Sequence, residues 1–449
     1  MHHFPRPVLV LVVTALLGGA SACSGGAPGA ETATATSVTT APSTSTTTPP
    51  APPPTTAPPC APDPSLTAPP PAPPPAELAA AVDRFGSDPA VAAGPWGVSV
   101  WIDGYGEIGR QADVPLLPAS NQKLFTAMGA LAVLGPDARL TTEVRATSDG
   151  GLVVVAGGDP TLAGGGPHSL DALAAQVRAA GITHAAGPLL VDESRHDTAR
   201  RAAGWQDWQV PAYAGPLSAF MVDRNRYRGD PAFLADPALG NAERFRSALG
   251  AHGVTVAGPT GYGAAPGDAA VVASLTSAPM VEIVDTTLMR SDNMAAELIL
   301  KEVGRAGAGV GSTAAGASAT RAALAPLCVP IAGVDDDGSG LSRANGRSAR
   351  EWRVLLQGAR AQPWAPLLAN AMPLAGRTGT LAGRFHGTAA EGNVRAKTGT
   401  IIGGIALSGY GTTLGGRAFV FSAIANGPAS NGGEGALDAL VAAVAADIS

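Results

Sequence analysis

The chain has 449 residues but very few lysines. Lysine and arginine together number 29, and three of these are lysines, Lys123, Lys301 and Lys397. Arginine stays protonated in a protein, whereas a buried lysine can lose its proton and act as a base. Each lysine is therefore a candidate for a task that needs an amine. A net charge of −6 leaves no basic surface of the kind that binds nucleic acid.

Cysteine is equally scarce, and one of the three cysteines follows an export signal. The apolar stretch Val8–Leu17 is too short to span a bilayer, and small residues follow it, which predicts a signal peptide over residues 1–22. Cys23 comes next and fits a lipidation site. The alternative is an ordinary cleavage site with an incidental cysteine. We expect an exported, extracytoplasmic protein of the cell envelope, either anchored to the membrane through a lipid on Cys23 or secreted.

Residues 23–76 consist mainly of Ala, Thr, Ser and Pro. Such a segment cannot bury a core, which predicts a disordered, extended linker between membrane and enzyme. Cys60 lies in this linker and Cys328 lies far from it in the sequence. The two can pair in an oxidising compartment, and the alternative is two free thiols.

The remainder of the chain contains the apolar runs that a core requires. Helix and strand patterns at 77–145 give way to a mixed stretch at 146–274 and return at 275–449. This order predicts a split catalytic domain, 77–145 and 275–449, interrupted by an inserted mixed α/β lobe at 146–274. The expected fold class is α/β (α+β).

Lys123 follows Ser120 by three residues, in the stretch PASNQKLF. In a helix this spacing places the hydroxyl and the amine on one face, on the same apolar stripe as Leu124 and Met128. Burial lowers the pKa of an amine, so that a neutral lysine can activate a serine nucleophile. The alternative is a serine that caps the helix and a lysine whose stem covers apolar surface.

Two further motifs follow in the chain. Ser291, Asp292 and Asn293 precede a helical pattern, and AKTGT, containing Lys397, opens an apolar, β-branched strand about 50 residues before the end of the sequence. Each motif alone has an ordinary structural explanation. The order S-x-x-K, S-x-N, K-T-G is far more specific than any one of the three.

These motifs resemble the serine penicillin-binding proteins, in particular the class C low-molecular-mass D-alanyl-D-alanine carboxypeptidase/endopeptidase family. The stretches GGDPTL, DGSGLSRAN and GTAAEGNVRAKTGT are similar to that family as well. The resemblance implies a penicillin-binding-protein transpeptidase/β-lactamase-like domain, with an antiparallel sheet flanked by helices and interrupted by inserted structure. It implies peptidoglycan stem peptides as substrate, β-lactams as inhibitors, and no metal or other cofactor.

The resemblance also implies roles for individual residues. Ser120 would be the nucleophile, Lys123 its base, and Ser291 a proton relay toward the leaving amine. The backbone N–H groups of Ser120 and Thr400 would form the oxyanion hole, and the lysine strand would lie at the sheet edge. The expected substrate contacts are Asn293, Lys397, Thr398, Gly399 and Thr400.

Other classes of protein fit less well. The chain has no G-x-S-x-G elbow, no H-E-x-x-H zinc motif, and no Tyr-x-Asn motif as in class C-type β-lactamases. A class A-type β-lactamase would share the three motifs but is smaller and deacylates fast. A catalytically silent wall-binding lipoprotein is a further alternative, and the intact motifs argue against it.

The pentapeptide AKTGT, Ala396–Thr400, has a near copy, GRTGT, at Gly376–Thr380. The first copy along the chain lies in a glycine-broken run and carries an arginine, Arg377, which predicts a turn that leads toward the strand. We therefore interpret only the second copy as part of an active site.

Overall fold

The computed structural model describes residues 73–226 and 232–446. The predicted signal peptide, nearly all of the linker, Cys23 and Cys60 lie outside these residues. Cys328 is disulfide-bonded and is therefore not a free thiol. Its pairing with Cys60 stays a prediction.

The described residues form helices and strands that are interspersed along the chain. The helices are α1 (Ala76–Ser87), α2 (Pro89–Ala92), α3 (Gln122–Gly129), α4 (Leu170–Ala179), α5 (Gln209–Ala212), α6 (Pro237–Ala251), α7 (Met280–Arg290), α8 (Asn293–Ala308), α9 (Thr313–Leu324), α10 (Ala349–Ala359), α11 (Ala365–Ala371) and α12 (Glu434–Ala446). The strands are β1 (Trp96–Ile102), β2 (Gly106–Arg110), β3 (Thr141–Ala146), β4 (Leu152–Val155), β5 (His184–Ala185), β6 (Leu189–Asp192), β7 (Thr255–Val256), β8 (Thr260–Tyr262), β9 (Ala270–Thr276), β10 (Arg395–Ile401), β11 (Gly404–Thr412) and β12 (Ala418–Asn426).

The first sheet has the order β10-β11-β12-β1-β2, and all its neighbouring strands are antiparallel. Successive side chains of a strand point to opposite faces, so each face of this sheet builds its own core. On β12, Val420 packs with Phe125 of α3 and Trp352 of α10, whereas Phe421 packs with Phe85 of α1 and the helix α12. Helices thus flank an antiparallel sheet, as predicted, and β10 lies at its edge.

The second sheet, of order β8-β6-β4-β3-β9, mixes parallel and antiparallel pairs. Helices α4 and α6 pack on it around Leu173, Phe245 and Val154. Its strands β3 and β9 span Thr141–Ala146 and Ala270–Thr276. The predicted limits of the lobe, 146 and 274, fall within these two strands, which pair with each other and not with the first sheet.

Among the described residues, no helix is both long enough and apolar enough to cross a membrane.

Candidate active site

Ser120 lies in a 3₁₀ turn, Ala119–Asn121, that leads into α3. Ala119 has a φ of 47°, a left-handed conformation that a non-glycine residue rarely adopts and that is common at functional turns. Asn121 fixes the turn to the first sheet, because its Nδ2 donates a hydrogen bond of 2.6 Å to Ser408 Oγ on β11. The turn holds Ser120 at the edge of the sheet, beside β10.

Lys123 lies in the first turn of α3 and is 1% exposed. Its Nζ donates hydrogen bonds to Ser120 Oγ at 3.0 Å, to Asn293 Oδ1 at 2.7 Å and to the carbonyl oxygen of Ser339 at 2.6 Å. The amine therefore points inward and contacts the serine hydroxyl, the arrangement that the spacing predicts.

Burial lowers the pKa of Lys123 to about 8, and nearby carboxylates oppose a larger fall. The carboxylates of Asp337, Asp292 and Glu297 raise this pKa by favouring the ammonium form. At a pH near 8 the amine is therefore divided between its protonated and neutral forms. A group in that balance can both accept and return a proton.

Ser291 and Asn293 lie at the junction between α7 and α8. Ser291 ends α7 with a left-handed φ of 53°, and Asp292 caps α8 by accepting hydrogen bonds from the N–H groups of Met294 and Ala295. Asn293, the first residue of α8, accepts the hydrogen bond from Lys123, while its Nδ2 donates to the carbonyl oxygen of Tyr213 at 2.9 Å.

Lys397 on β10 is fully buried and reaches the same junction from the opposite side. Its Nζ donates hydrogen bonds to Ser291 Oγ at 3.0 Å and to the carbonyl oxygen of Thr398 at 2.8 Å. Burial, with the charge of Lys123 as a smaller cause, holds the pKa of Lys397 well below its usual range. The S-x-x-K, S-x-N and K-T-G motifs thus form one hydrogen-bonded cluster.

Gly399 lets β10 approach the Ser120 turn closely. A Cβ at Gly399 would lie 2.7 Å from the carbonyl oxygen of Pro118 and 3.2 Å from the Cβ of Ala119. Any larger residue would push the strand away from the serine. The motif requires glycine here for close packing.

The loop Asp337–Asn345, whose sequence is DGSGLSRAN, packs against the cluster. Asp337 accepts hydrogen bonds from Trp205 Nε1 at 2.9 Å, from the Gly340 N–H at 2.8 Å and from Asn345 Nδ2 at 2.6 Å. These bonds fix the loop whose Ser339 carbonyl accepts from Lys123. A Cβ at Gly340 would lie 1.8 Å from the carbonyl oxygen of Ala119, so this loop also presses on the Ser120 turn.

Glu297 lies one turn after Asn293 on α8 and is completely buried. Its Oε1 accepts hydrogen bonds from the N–H groups of Gly338 and Ser339, at 3.0 and 2.9 Å. Burial, with the charge of Asp337 as a smaller cause, raises the pKa of Glu297 to about 8. Sequence reasoning missed Asp337, Glu297 and Ser339, although the spacing of Asn293 and Glu297 placed both on one helix face.

An open cavity lies in front of the serine. Four of its lining residues were predicted as site residues, namely Ser120, Ser291, Thr398 and Thr400. Sequence reasoning missed the other three, which are Thr380, Arg384 and Glu434.

The first pentapeptide copy is a turn followed by a short 3₁₀ helix, Gly379–Leu381, in agreement with the prediction. Arg377 is 60% exposed, pairs with Glu391 at 3.3 Å, and does not line the cavity. Thr380 corrects the prediction that this copy is scaffold alone, because its Oγ1 lies 2.7 Å from Thr398 Oγ1.

Among residues 73–226 and 232–446, no group of three or more His, Cys, Asp or Glu residues could hold a metal ion.

Comparison with known proteins identifies the family. The chain matches the D-Ala-D-Ala carboxypeptidase 3 (S13) family over residues 78–230 and 230–446. It is 36% identical over 424 residues to D-alanyl-D-alanine carboxypeptidase of Actinomadura sp. strain R39, covering 74% of this chain and 78% of that protein. The chain belongs to the S13 family. This membership makes it a serine peptidase, as predicted.

A further relative and a solved structure agree. Carboxypeptidase DacB of Mycolicibacterium smegmatis is 32% identical over 369 residues, covering 77% of each protein. The crystal structure of penicillin-binding protein 4 of Haemophilus influenzae covers 77% of this chain and 93% of its own, with a TM-score of 0.68 and 22% identity. This likeness shows the fold, and it confirms the predicted fold class.

Proposed function

We propose that the protein is a serine-type D-alanyl-D-alanine carboxypeptidase that acts on peptidoglycan stem peptides through an acyl-enzyme. The observation that carries the proposal is the hydrogen bond of 3.0 Å between Ser120 Oγ and Lys123 Nζ, in the same cluster as Ser291 and Lys397. Membership of the S13 family and the D-alanyl-D-alanine carboxypeptidase from Actinomadura support this choice of substrate.

In the proposed acylation step, the substrate enters as an extended peptide. Its backbone pairs with the edge strand β10 by strand addition, and Asn293 binds its amide. Ser120 attacks the carbonyl carbon of the penultimate D-alanine while Lys123 takes the hydroxyl proton. The backbone N–H groups of Ser120 and Thr400 stabilise the oxyanion.

The leaving D-alanine needs a proton on its amine, and Ser291 relays one toward it. Lys397 supports this relay, since its Nζ lies 3.0 Å from Ser291 Oγ. Lys397, Thr398 and Thr400 face the substrate carboxylate. Water then hydrolyses the ester on Ser120 and frees the enzyme.

β-Lactams should acylate the same serine, because they mimic the D-Ala-D-Ala unit. The penicillin-binding protein 4 structures include one with a bound β-lactam, which supports this expectation. The same chemistry would cleave cross-links that end in a D-alanyl bond, so an endopeptidase activity belongs to the proposal. We further propose an exported enzyme of the cell envelope, anchored through a lipid on Cys23.

The test is intact-mass analysis after incubation with a penicillin, together with D-alanine release from a D-Ala-D-Ala peptide. We expect one stable adduct and released D-alanine in the wild type, neither in Ser120→Ala, and both in the control Ser247→Ala. Ser247 suits the control because it lies on the exposed surface of α6. Rapid penicillin turnover would indicate a β-lactamase instead, and no adduct and no release would indicate a silent wall-binding protein.

A further inference from the structure

Arg384 lines the cavity in front of Ser120 and is held there by a carboxylate. Its Nε lies 3.0 and 3.2 Å from the two carboxylate oxygens of Asp438 on α12, and its Nη2 lies 2.5 Å from one of them. The other nitrogen, Nη1, has no hydrogen-bond partner among the described residues. The guanidinium is thus fixed on one side and available on the other.

The chemistry of the cavity favours an anionic ligand. Three threonine hydroxyls, from Thr380, Thr398 and Thr400, line the same space. Thr400 donates to Glu434, and Thr380 and Thr398 share one hydrogen bond, so a bound anion would exchange these hydrogen bonds for its own. A hydroxyl set with a guanidinium is suited to a carboxylate, which accepts several hydrogen bonds and pairs with arginine.

We propose that Arg384 binds the free C-terminal carboxylate of the substrate, an inference that rests on the proposed function. The side chain of Arg384 is 15% exposed, so water screens this charge less than it screens a surface arginine. Asp438 is the positioning residue that fixes the guanidinium plane. Thr398 and Thr400 complete the carboxylate site.

Arg384 has a property that the lysine of β10 lacks. An arginine keeps its charge at any working pH, whereas burial favours the neutral form of Lys397 in the free enzyme. A carboxylate bound in this cavity therefore meets a permanent positive charge on Arg384 together with the hydrogen-bonding amine of Lys397, which also donates to Ser291.

Glu434 provides a second test of the assignment, because it lines the same cavity and carries a charge opposite to that of Arg384. Its Oε1 accepts a hydrogen bond of 3.3 Å from Thr400 Oγ1. A carboxylate bound near Thr400 is repelled by Glu434 and attracted by Arg384. Removal of the two charges should therefore change carboxylate recognition in opposite directions.

The experiment compares the second-order acylation rates for benzylpenicillin and for its methyl ester, which lacks the carboxylate. We expect Arg384→Ala to slow the acid by about 10- to 100-fold and to leave the ester unchanged, since a charge-assisted hydrogen bond is lost. Arg384→Lys should recover part of the rate with the acid. Glu434→Gln should speed the acid by up to about fivefold, in line with an exposed charge.

Arg377→Ala is the matched control, an arginine of the first pentapeptide copy that lies outside the cavity, and it should leave both rates unchanged. If Arg384→Ala slowed acid and ester by the same factor, or neither, the proposal would be wrong and the Asp438 pair would be structural only. If instead the wild type released no D-alanine, the proposed function itself would fail. Thermal unfolding of each variant separates lost recognition from lost folding.

Discussion

The two lysines of the site are equally buried but lie in surroundings of opposite charge. Lys123, on the helix side, is 1% exposed and faces the carboxylates of Asp337, Asp292 and Glu297. Lys397, on the strand side, is fully buried, and the charge that acts on it is that of Lys123. Burial lowers the pKa of both amines, to about 8 for Lys123, and it holds the pKa of Lys397 well below its usual range.

The difference indicates how one residue type can have two functions within one site. Burial alone favours the neutral amine, and neighbouring carboxylates restore part of the ammonium form. Lys123 is therefore suited to exchange a proton with Ser120 near neutral pH. Lys397 is suited to hold Ser291 in place as a hydrogen-bonding amine.

Removal of either amine should produce the largest effects on the rate of acylation, and the two rates should show which lysine is the base. We expect Lys123→Met to slow penicillin acylation by at least about 10³-fold, because the general base is lost. Lys397→Met should slow it by about 10²-fold, because Ser120 keeps its base while Ser291 loses a partner. Intact-mass analysis of reactions quenched at a series of times gives both rates.

The third lysine provides the control for this comparison. Lys301 is also buried, at 2% exposure, but pairs with Asp197 at 2.5 Å, away from the cavity. Lys301→Met should lower stability and leave the acylation rate of the folded protein unchanged. A slower rate in Lys397→Met than in Lys123→Met would reverse the assignment of the base.

The pH dependence should reveal the carboxylates around Lys123. The neutral amine is the active form of a base, so the acylation rate should rise with pH up to about 8, by about tenfold per pH unit below it. The negative charge of Asp292 raises the pKa of Lys123, and Asp292→Asn removes that charge while an asparagine can still cap α8. We expect the limb of the pH–rate profile to move to lower pH. A limb that stayed in place would show that another group controls the rate.

The chemistry of the site could be predicted from the sequence because its main parts are local. Ser120 and Lys123 are one helical turn apart, and Ser291 and Asn293 are two residues apart. Short sequence motifs therefore determine how these side chains lie relative to one another. The edge position of β10 followed only from the family resemblance. Apolar alternation indicated the strand itself.

The remaining parts of the site depend on contacts that no local pattern contains. Thr380 reaches Thr398 across 18 residues, and Glu434 reaches Thr400 across 34. Asp337 is more than 200 residues from Lys123, and only the folded chain brings its loop behind the lysine. The predicted limits of the inserted lobe fall within β3 and β9, since the sequence does not show that these two strands pair with each other.

The smallest expected effect concerns the first pentapeptide copy, and it should show which of its residues contributes to substrate binding. Thr380→Val keeps the side-chain shape but removes the hydroxyl that lies 2.7 Å from Thr398 Oγ1. We expect KM for D-alanine release to rise by about 2- to 10-fold, the value of one neutral hydrogen bond, with little change in kcat. Arg377→Ala, three residues earlier, should leave KM unchanged, since its exposed side chain contacts Glu391 and not the cavity. If Arg377→Ala raised KM as much as Thr380→Val, the first copy would act through the whole turn, and Thr380 would have no separate role in binding.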